Sequence, residues 1–332
     1  MILVIKMYDK KMAMFYILDI LREYSDKEHQ LTQQQIIEKL SNIYGIQIER
    51  KTISTNIELL TDYGYDIVKD SKGCYLNERE FDENEIKYLI DAIYSSKSIS
   101  GSQAKNISKK LYSILSIFEQ KDYTYLYKST EINRSTNKEI FLNIELINEA
   151  IKEKKKISFT YLSYDENGKL SKRRNGYKYV VSPYFLINNF NKYYLIANIE
   201  WFDNHANYRV EYMSDIKILD HDIKPYKDVK TLGEKFDITK HINDHIYMFG
   251  GEIINAKIEI LNNIGITYVM DWFGNNARIY KDNDKLYATI KSDDKALFFW
   301  ALQYQEHIKV ISPEKVVEKI ITTLKKSIEN YN

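Results

Sequence analysis

The chain has 332 residues, too many for one ordinary hydrophobic core, so two or three domains are expected. Its 48 basic and 47 acidic residues balance, which excludes a polycation that binds nucleic acid by bulk charge alone. The single cysteine, Cys74, excludes an intramolecular disulfide and a thiolate zinc cage, and it fits a reducing cytoplasm.

The opening MILVIKMYDKKMAMF is apolar only in short pieces, so no signal peptide is expected. No run approaches the roughly 20 apolar residues that span a bilayer. A cytoplasmic location without membrane contact is the expectation. Residues 12–24 read as a helix, with Met14, Ile17, Leu18 and Leu21 on one stripe. A second helix starts at Thr32, which has capping-box spacing to Gln35, and buries Ile36, Leu40 and Ile43 before Gly45. A third runs from about Glu49 to Tyr63, with Ile53, Ile57 and Leu60 inward and Gly64 ending it. Two short strands around Asp70-Ser71-Lys72-Gly73 follow. Helix, helix, turn, helix, hairpin is the order of a winged helix-turn-helix, assigned to residues 1–80.

The third helix is the candidate for the major groove of duplex DNA. Lys51, Ser54 and Thr55 suit phosphates and base edges, Arg50 and Thr52 flank them, and Lys69 and Lys72 on the hairpin suit backbone phosphate. An ordinary solvated helix face is the competing reading. Residues 1–80 hold 11 basic and 13 acidic side chains, a net of −2, which argues against strong binding by one copy. A homodimer would double the contacts.

Residues 82–97 form a further helix, capped by Asp82 and Glu85, with Ile86, Leu89, Ile90 and Ile93 on its stripe. Another, about 102–118, carries Ala104, Ile107, Leu111, Ile114 and Phe118 at alternating spacings of three and four, as in a helix–helix seam. This pair reads as a dimerisation arm. Polar residues 119–139 read as a linker, and residues 81–139 together as arm and linker. A helix at 143–154 leads into KISFTYLSY, the first of several strands extending to about residue 220. One of these, YVVSPYFLI, ends in a turn at Asn188-Asn189; KYYLIANIEW and ANYRVEYM form the next two. From about 235 the elements run β-α-β-β-α-β-α, a ferredoxin-like order with an extra helix, in which Ile254, Ala256, Ile258 and Ile260 alternate and Ser312-Pro313 opens the last helix as N-cap and N1.

Residues 152–178 carry nine basic and three acidic side chains, a net of +6, with Tyr161, Tyr164, Tyr177 and Tyr179 interleaved. Rings beside cations suit nucleotides or single strands; a solubilising lysine-rich loop is the alternative. Arg209 and Glu211 are read as lying on opposite faces of a strand, not as a simple ion pair. His241 and His245 are four apart, as zinc ligands can be, but no third ligand has a recognisable spacing, so they are read as a solvent-exposed pair. HExxH, GxGxxG, P-loop and GxSxG motifs are lacking, so neither an enzyme nor a cofactor nor a metal is expected.

The block KISFTYLSYDENGKLSKRRNGYKYVVSPYFLINNFNKYYLIAN closely resembles the WYL domain, a small Sm-like β-barrel of bacterial transcription regulators. Tyr193-Tyr194-Leu195 stands where that family has Trp-Tyr-Leu. YRVEYMSDI resembles its Arg-x-x-Arg-Ile strand: Arg209 matches the first arginine and Tyr212 replaces the second. FGGE, WFG, the Trp300 helix and Ser312-Pro313-Glu314 resemble the C-terminal extension often called WCX. The resemblance implies a WYL domain over 140–224 and a WCX extension over 225–332. It implies a ligand, nucleotide or nucleic acid, at Tyr161, Arg173, Arg174, Ser182, Tyr184, Tyr193, Tyr194, Arg209 and Tyr212. The expected fold class is α+β and multidomain. The expected function is a transcription regulator that binds a duplex operator and senses a ligand. The alternative is an accessory protein of phage defence or DNA repair whose barrel binds single strands.

Overall fold

A computed structural model of the chain describes residues 10–120, 139–233 and 236–332. Most of the segment read as a linker, 121–138, lies outside the described residues. The chain divides into two compact units, Met1–Lys138 and Glu139–Asn332.

The first unit begins with α1 (Ala13–Tyr24), α2 (Gln33–Tyr44) and α3 (Arg50–Tyr63). The hairpin β1 (Ile67–Lys69) and β2 (Cys74–Leu76) follows. Ile17, Leu21, Ile36, Leu40, Ile53, Ile57 and Leu60 meet in one core, as their helical spacings require. Thr32 and Gln35 make the expected capping box. Ile43, expected inside, is 42% exposed. Gly45, left-handed at φ +66°, ends α2 after Tyr44, so Tyr44 stacks on Tyr16 and Ile46 takes the buried place instead.

Leu31 joins the hairpin edge, exchanging two backbone bonds of 2.9 Å with Cys74. Gly73 sits at φ +154°, and a Cβ there would lie 2.6 Å from the Leu31 carbonyl oxygen. Both the conformation and the close approach demand glycine. Gly73→Ala is therefore expected to destabilise the first unit by about 2–3 kcal/mol. Equilibrium denaturation read by circular dichroism checks this; a wild-type midpoint would refute it.

Two more helices complete this unit, α4 (Glu83–Ser95), with the Asp82–Glu85 capping box, and α5 (Gly101–Tyr112). The helix expected to reach residue 118 stops at Tyr112. Beyond it Ile117 N–H bonds the Glu23 carbonyl, and the Phe118 ring stacks on His29 at 3.7 Å. Arg79 donates to the carbonyls of Arg22, Ser25 and Ile114. Arg79, bonded to α1 and its exit on one side and to Ile114 on the other, joins the Ile117–Glu23 bond and the ring stack in holding residues 114–118 against the three-helix core. Those residues therefore do not extend a seam.

In the second unit α6 (Ile140–Glu153) precedes β3 (Lys155–Tyr164), β4 (Leu170–Lys172), β5 (Lys178–Asn189), β6 (Lys192–Asn198), β7 (Ala206–Arg209) and β8 (Met213–Asp222). The sheet runs β4-β3-β5-β6-β7, and β8 pairs with β3. It curls: Tyr208 of β7 packs edge-on against Phe159 and Tyr161 of β3, at 5.2 and 5.9 Å, although the two strands are not neighbours. Two sequence expectations shift here. The β5–β6 turn is Phe190-Asn191, both at positive φ, rather than Asn188-Asn189, because Asn189 still pairs with Lys192 and only a two-residue loop remains. The strand read as ANYRVEYM breaks at Arg209, and Val210–Tyr212 is a 3₁₀ turn.

Past β8 come α7 (Ile238–Asp244), β9 (Ile253–Ile260), α8 (Asn263–Phe273), β10 (Ala277–Asp282), β11 (Lys285–Asp293), α9 (Asp294–Gln303), β12 (Ile308–Ser312) and α10 (Glu314–Glu329). The four strands order as β10-β11-β9-β12, every neighbouring pair antiparallel. Ala256, Ile258, Ile260, Ala288, Ile290 and Val310 bury one face with Trp300 and Leu297 of α9. Pro313, not Ser312, is the N-cap of α10. Ser312 remains in β12, where its hydroxyl accepts the Lys257 N–H. Among the described residues no helix is long and apolar enough to cross a membrane.

Candidate nucleic-acid and ligand sites

The first site is a groove of about 530 Å³ between the start of α2, α3 and the hairpin. It gathers Arg50, Ser54, Lys69 and Lys72. Lys51, Thr52 and Thr55 lie exposed on α3 outside its lining. Arg50 donates to Gln34 Oε1 at 3.3 Å, and Gln33 donates to Ser54 Oγ at 2.7 Å. Gln33 and Gln34 are polar groove residues that the sequence reading passed over; their place at the first turn of α2, beside the Thr32 cap, was the available signal. Not every group there favours an anion. Glu58 lies 3.8 Å from Lys69. Asp70 accepts from the Gln30 amide and the Lys72 N–H, and these bonds hold its carboxyl below the usual carboxylate range. Cys74 at the groove floor has its thiol pushed up to about 11 by burial, so it packs rather than reacts.

The second site lies where β3 meets the 210–212 turn. Tyr161 Oη accepts the Arg209 N–H at 3.1 Å, and burial pushes that phenol up to about 12. The Arg209 guanidinium stands 4.4 Å over the Tyr212 ring. Tyr212 in turn meets Tyr161 and Tyr164 edge-on, each at 6.1 Å. Tyr194 is the cross-strand partner of Arg209. Tyr161, Tyr194, Arg209 and Tyr212 are thus brought together. Arg209 also donates through Nε to Glu211 Oε1 at 3.1 Å, with a second bond from Nη2. The expectation that these two do not pair was wrong. The strand ends at Arg209, and the 3₁₀ turn that follows brings the Glu211 carboxylate to the guanidinium.

The remaining candidates divide. Arg173 and Arg174 are exposed on a 3₁₀ turn, with Arg174 at φ +51°. Arg174 acts electrostatically on the Tyr208 phenol. Tyr193 is half-buried. Ser182 and Tyr184 are buried, Tyr184 in one apolar cluster with Tyr194: Ser182 Oγ accepts the Lys224 N–H, and Tyr184 Oη donates to the Lys224 carbonyl. They fasten the segment after β8 to β5 of the six-stranded sheet. Tyr164 and Tyr177, 56% and 44% exposed, border the aromatic cluster and are the rings most open to a ligand.

His241 and His245 are not solvent-exposed, as the sequence implied, but 5% and 7% exposed. His205 at the start of β7 joins them, its ring 5.0 Å from that of His241. Among the described residues no group of three or more His, Cys, Asp or Glu is arranged to hold a metal ion.

Comparison with known proteins gives similarity in two forms. Among solved structures, proteasome accessory factor B/C (PafBC) of Arthrobacter aurescens matches at 16% identity and a TM-score of 0.29, over 96% of this chain and 49% of that one. The chain thus spans about half the length of that protein. A CRISPR Cas-related protein matches at 14% identity and a TM-score of 0.40, over 96% of this chain and 85% of that one. No curated protein matches the chain. Residues 143–218, the span from α6 to β8 that carries the Arg209 cluster, match the family described as the WYL domain, so that span of the chain is a WYL domain.

Proposed function

We propose that this protein is a homodimeric, non-enzymatic transcription regulator in which a winged helix-turn-helix reads duplex DNA and an Sm-like WYL barrel senses a nucleotide or a short nucleic acid. The observation that carries this reading is the pairing, within one chain, of a WYL domain with a three-helix-plus-hairpin unit whose groove collects Arg50, Ser54, Lys69 and Lys72. Lys51, Thr52 and Thr55 extend the same helix face outward. Ligand at the Tyr161–Arg209–Tyr212 cluster would act by favouring one of two placements of the paired reading heads.

The test is fluorescence anisotropy with the duplex upstream of the protein's own coding region, against a scrambled duplex and a single strand, at several salt concentrations. Selective duplex binding that weakens as salt rises is expected. Lys51→Ala should weaken every duplex alike and lower the salt slope by about one. Absence of duplex preference would reject the reading.

A second reading is favoured by the charge distribution: −2 over residues 1–80 but +6 over 152–178. Here the barrel binds single strands in an accessory role in phage defence or DNA repair. Single-strand affinity above duplex affinity, lost in Arg173→Ala/Arg174→Ala and kept in Lys51→Ala, distinguishes it.

A further inference from the structure

The four-stranded sheet of the second unit buries one face and opens the other. Alternation along each strand sends Ala256, Ile258, Ala288 and Ile290 into the core. The same alternation puts Lys257 and Glu259 of β9, Arg278 and Tyr280 of β10, Tyr287 and Thr289 of β11 and Lys309 of β12 on the open side, with the Glu259 carboxylate neutralised by Lys285 at 2.7 Å. Arg278, Thr289 and Lys309 are exposed, and Lys257, Tyr280 and Tyr287 half-exposed. An apolar partner would find little to bury there.

Three features give this face a chemistry. Tyr280 and Tyr287 are direct cross-strand partners with stacked rings, centroids 5.9 Å apart. Lys257 holds its ammonium 4.0 Å from the Tyr287 centroid and 5.8 Å from that of Tyr280. A shallow groove of about 480 Å³ continues from Lys257 past Arg278 to Asn276. Asn276 lines this groove and the neighbouring one beside Trp272, and its amide nitrogen is buried with no hydrogen-bond partner.

We propose that this open face binds single-stranded nucleic acid. Bases stack on Tyr280 and Tyr287, phosphates meet Lys257, Arg278 and Lys309, and a base carbonyl or phosphate oxygen satisfies Asn276. Unpaired bases offer ring faces that a duplex keeps stacked inside itself, and a sheet bearing aromatics on its open side is a surface suited to them. The Lys257 ammonium covers the rings in the free protein. Its flexible stem lets it swing to a phosphate and uncover them. This site is separate from the α3 groove and from the Arg209 cluster, and it does not depend on the regulatory reading.

The experiment uses the full chain and a fluorescein-labelled oligothymidylate of about fifteen nucleotides, within the span such grooves occupy. Wild type is expected to bind with an affinity that falls as salt rises. Tyr280→Ala/Tyr287→Ala should weaken binding by about tenfold or more. Lys257→Glu should weaken it as well, and Tyr280→Phe/Tyr287→Phe should keep it, since stacking survives without the hydroxyls. Duplex affinity should not change in any of these variants. No binding by wild type overturns the proposal. Undiminished binding by the double alanine variant also overturns it, placing the strand elsewhere on the chain. Should circular dichroism show that variant unfolded, Lys257→Glu alone decides, and unchanged affinity there overturns the proposal.

Discussion

Arg209→Ala is expected to lower the stability of the second unit by about 2–4 kcal/mol, the cost of removing the half-buried partner of a buried carboxylate. Glu211 is 4% exposed, and its Oε1 accepts both bonds from the guanidinium. Alanine removes those donors and also the cation over Tyr212. The loss amounts to a drop of about 10 °C in the melting midpoint for a unit of this size. All three tryptophans, Trp201, Trp272 and Trp300, lie in the second unit, so their fluorescence follows its unfolding alone. Arg209→Ala/Glu211→Gln should recover much of the loss, because the buried charge that the guanidinium balanced is gone. A single variant that melts with wild type would show the pair contributes nothing. This bears on function too: lost ligand binding in Arg209→Ala alone does not identify a ligand contact. The double variant separates the roles. If it is stable yet blind to ligand, the guanidinium touches the ligand.

Local patterns carried much of the fold. The capping boxes at Thr32 and Asp82 were readable because both partners lie within four residues. The inward sets Ile53, Ile57, Leu60 and Ala256, Ile258, Ile260 followed from periods of 3.6 and 2. Errors arose where a turn or a distant segment decides. Ile43 loses its buried place to Ile46 once Gly45 turns the chain. The α5 helix ends early because Phe118 finds His29, 89 positions earlier. Ser182 and Tyr184 looked like ligand contacts from their place in the Ser-Pro-Tyr strand, yet the backbone of Lys224 claims both. The Arg209–Glu211 pair was hidden because the strand was read through to Met213, whereas it ends at Arg209 and a 3₁₀ turn places Glu211. The histidine cluster was half legible: positions 241 and 245 share a helix face, but nothing local announces that the β7 strand brings His205 beside them.

That cluster sets the second large effect, a loss of stability in mild acid. Burial first, then the neighbouring His245, pushes His205 down to about 4. Burial, then His245 and His205, pushes His241 down to about 3. His245 is lowered by burial as well, although the His241 carbonyl accepts its Nδ1–H and Asp244 lies near. Asp244 is itself paired with Lys291 at 3.0 Å. In the unfolded chain each imidazole titrates near its ordinary value of about 6.5. Below that pH the unfolded state binds protons that the folded state refuses, so stability falls as pH drops. At pH 5 the cost is about 2 kcal/mol for His205 and the same for His241. Asp293 works in the opposite direction: burial pushes it up to about 6, so it takes up a proton while folded and returns about 1.4 kcal/mol by pH 5. The net expectation is a loss of about 3 kcal/mol between pH 7 and pH 5, seen as a lower tryptophan-monitored midpoint. His241→Gln should flatten that dependence by about 2 kcal/mol whatever it does to stability at pH 7. Asp293→Asn should steepen it. A His241→Gln profile parallel to wild type would mean that these imidazoles stay accessible to protons in the folded chain. The packing of half-buried His205 against the buried rings of His241 and His245 would then not be a barrier to charge.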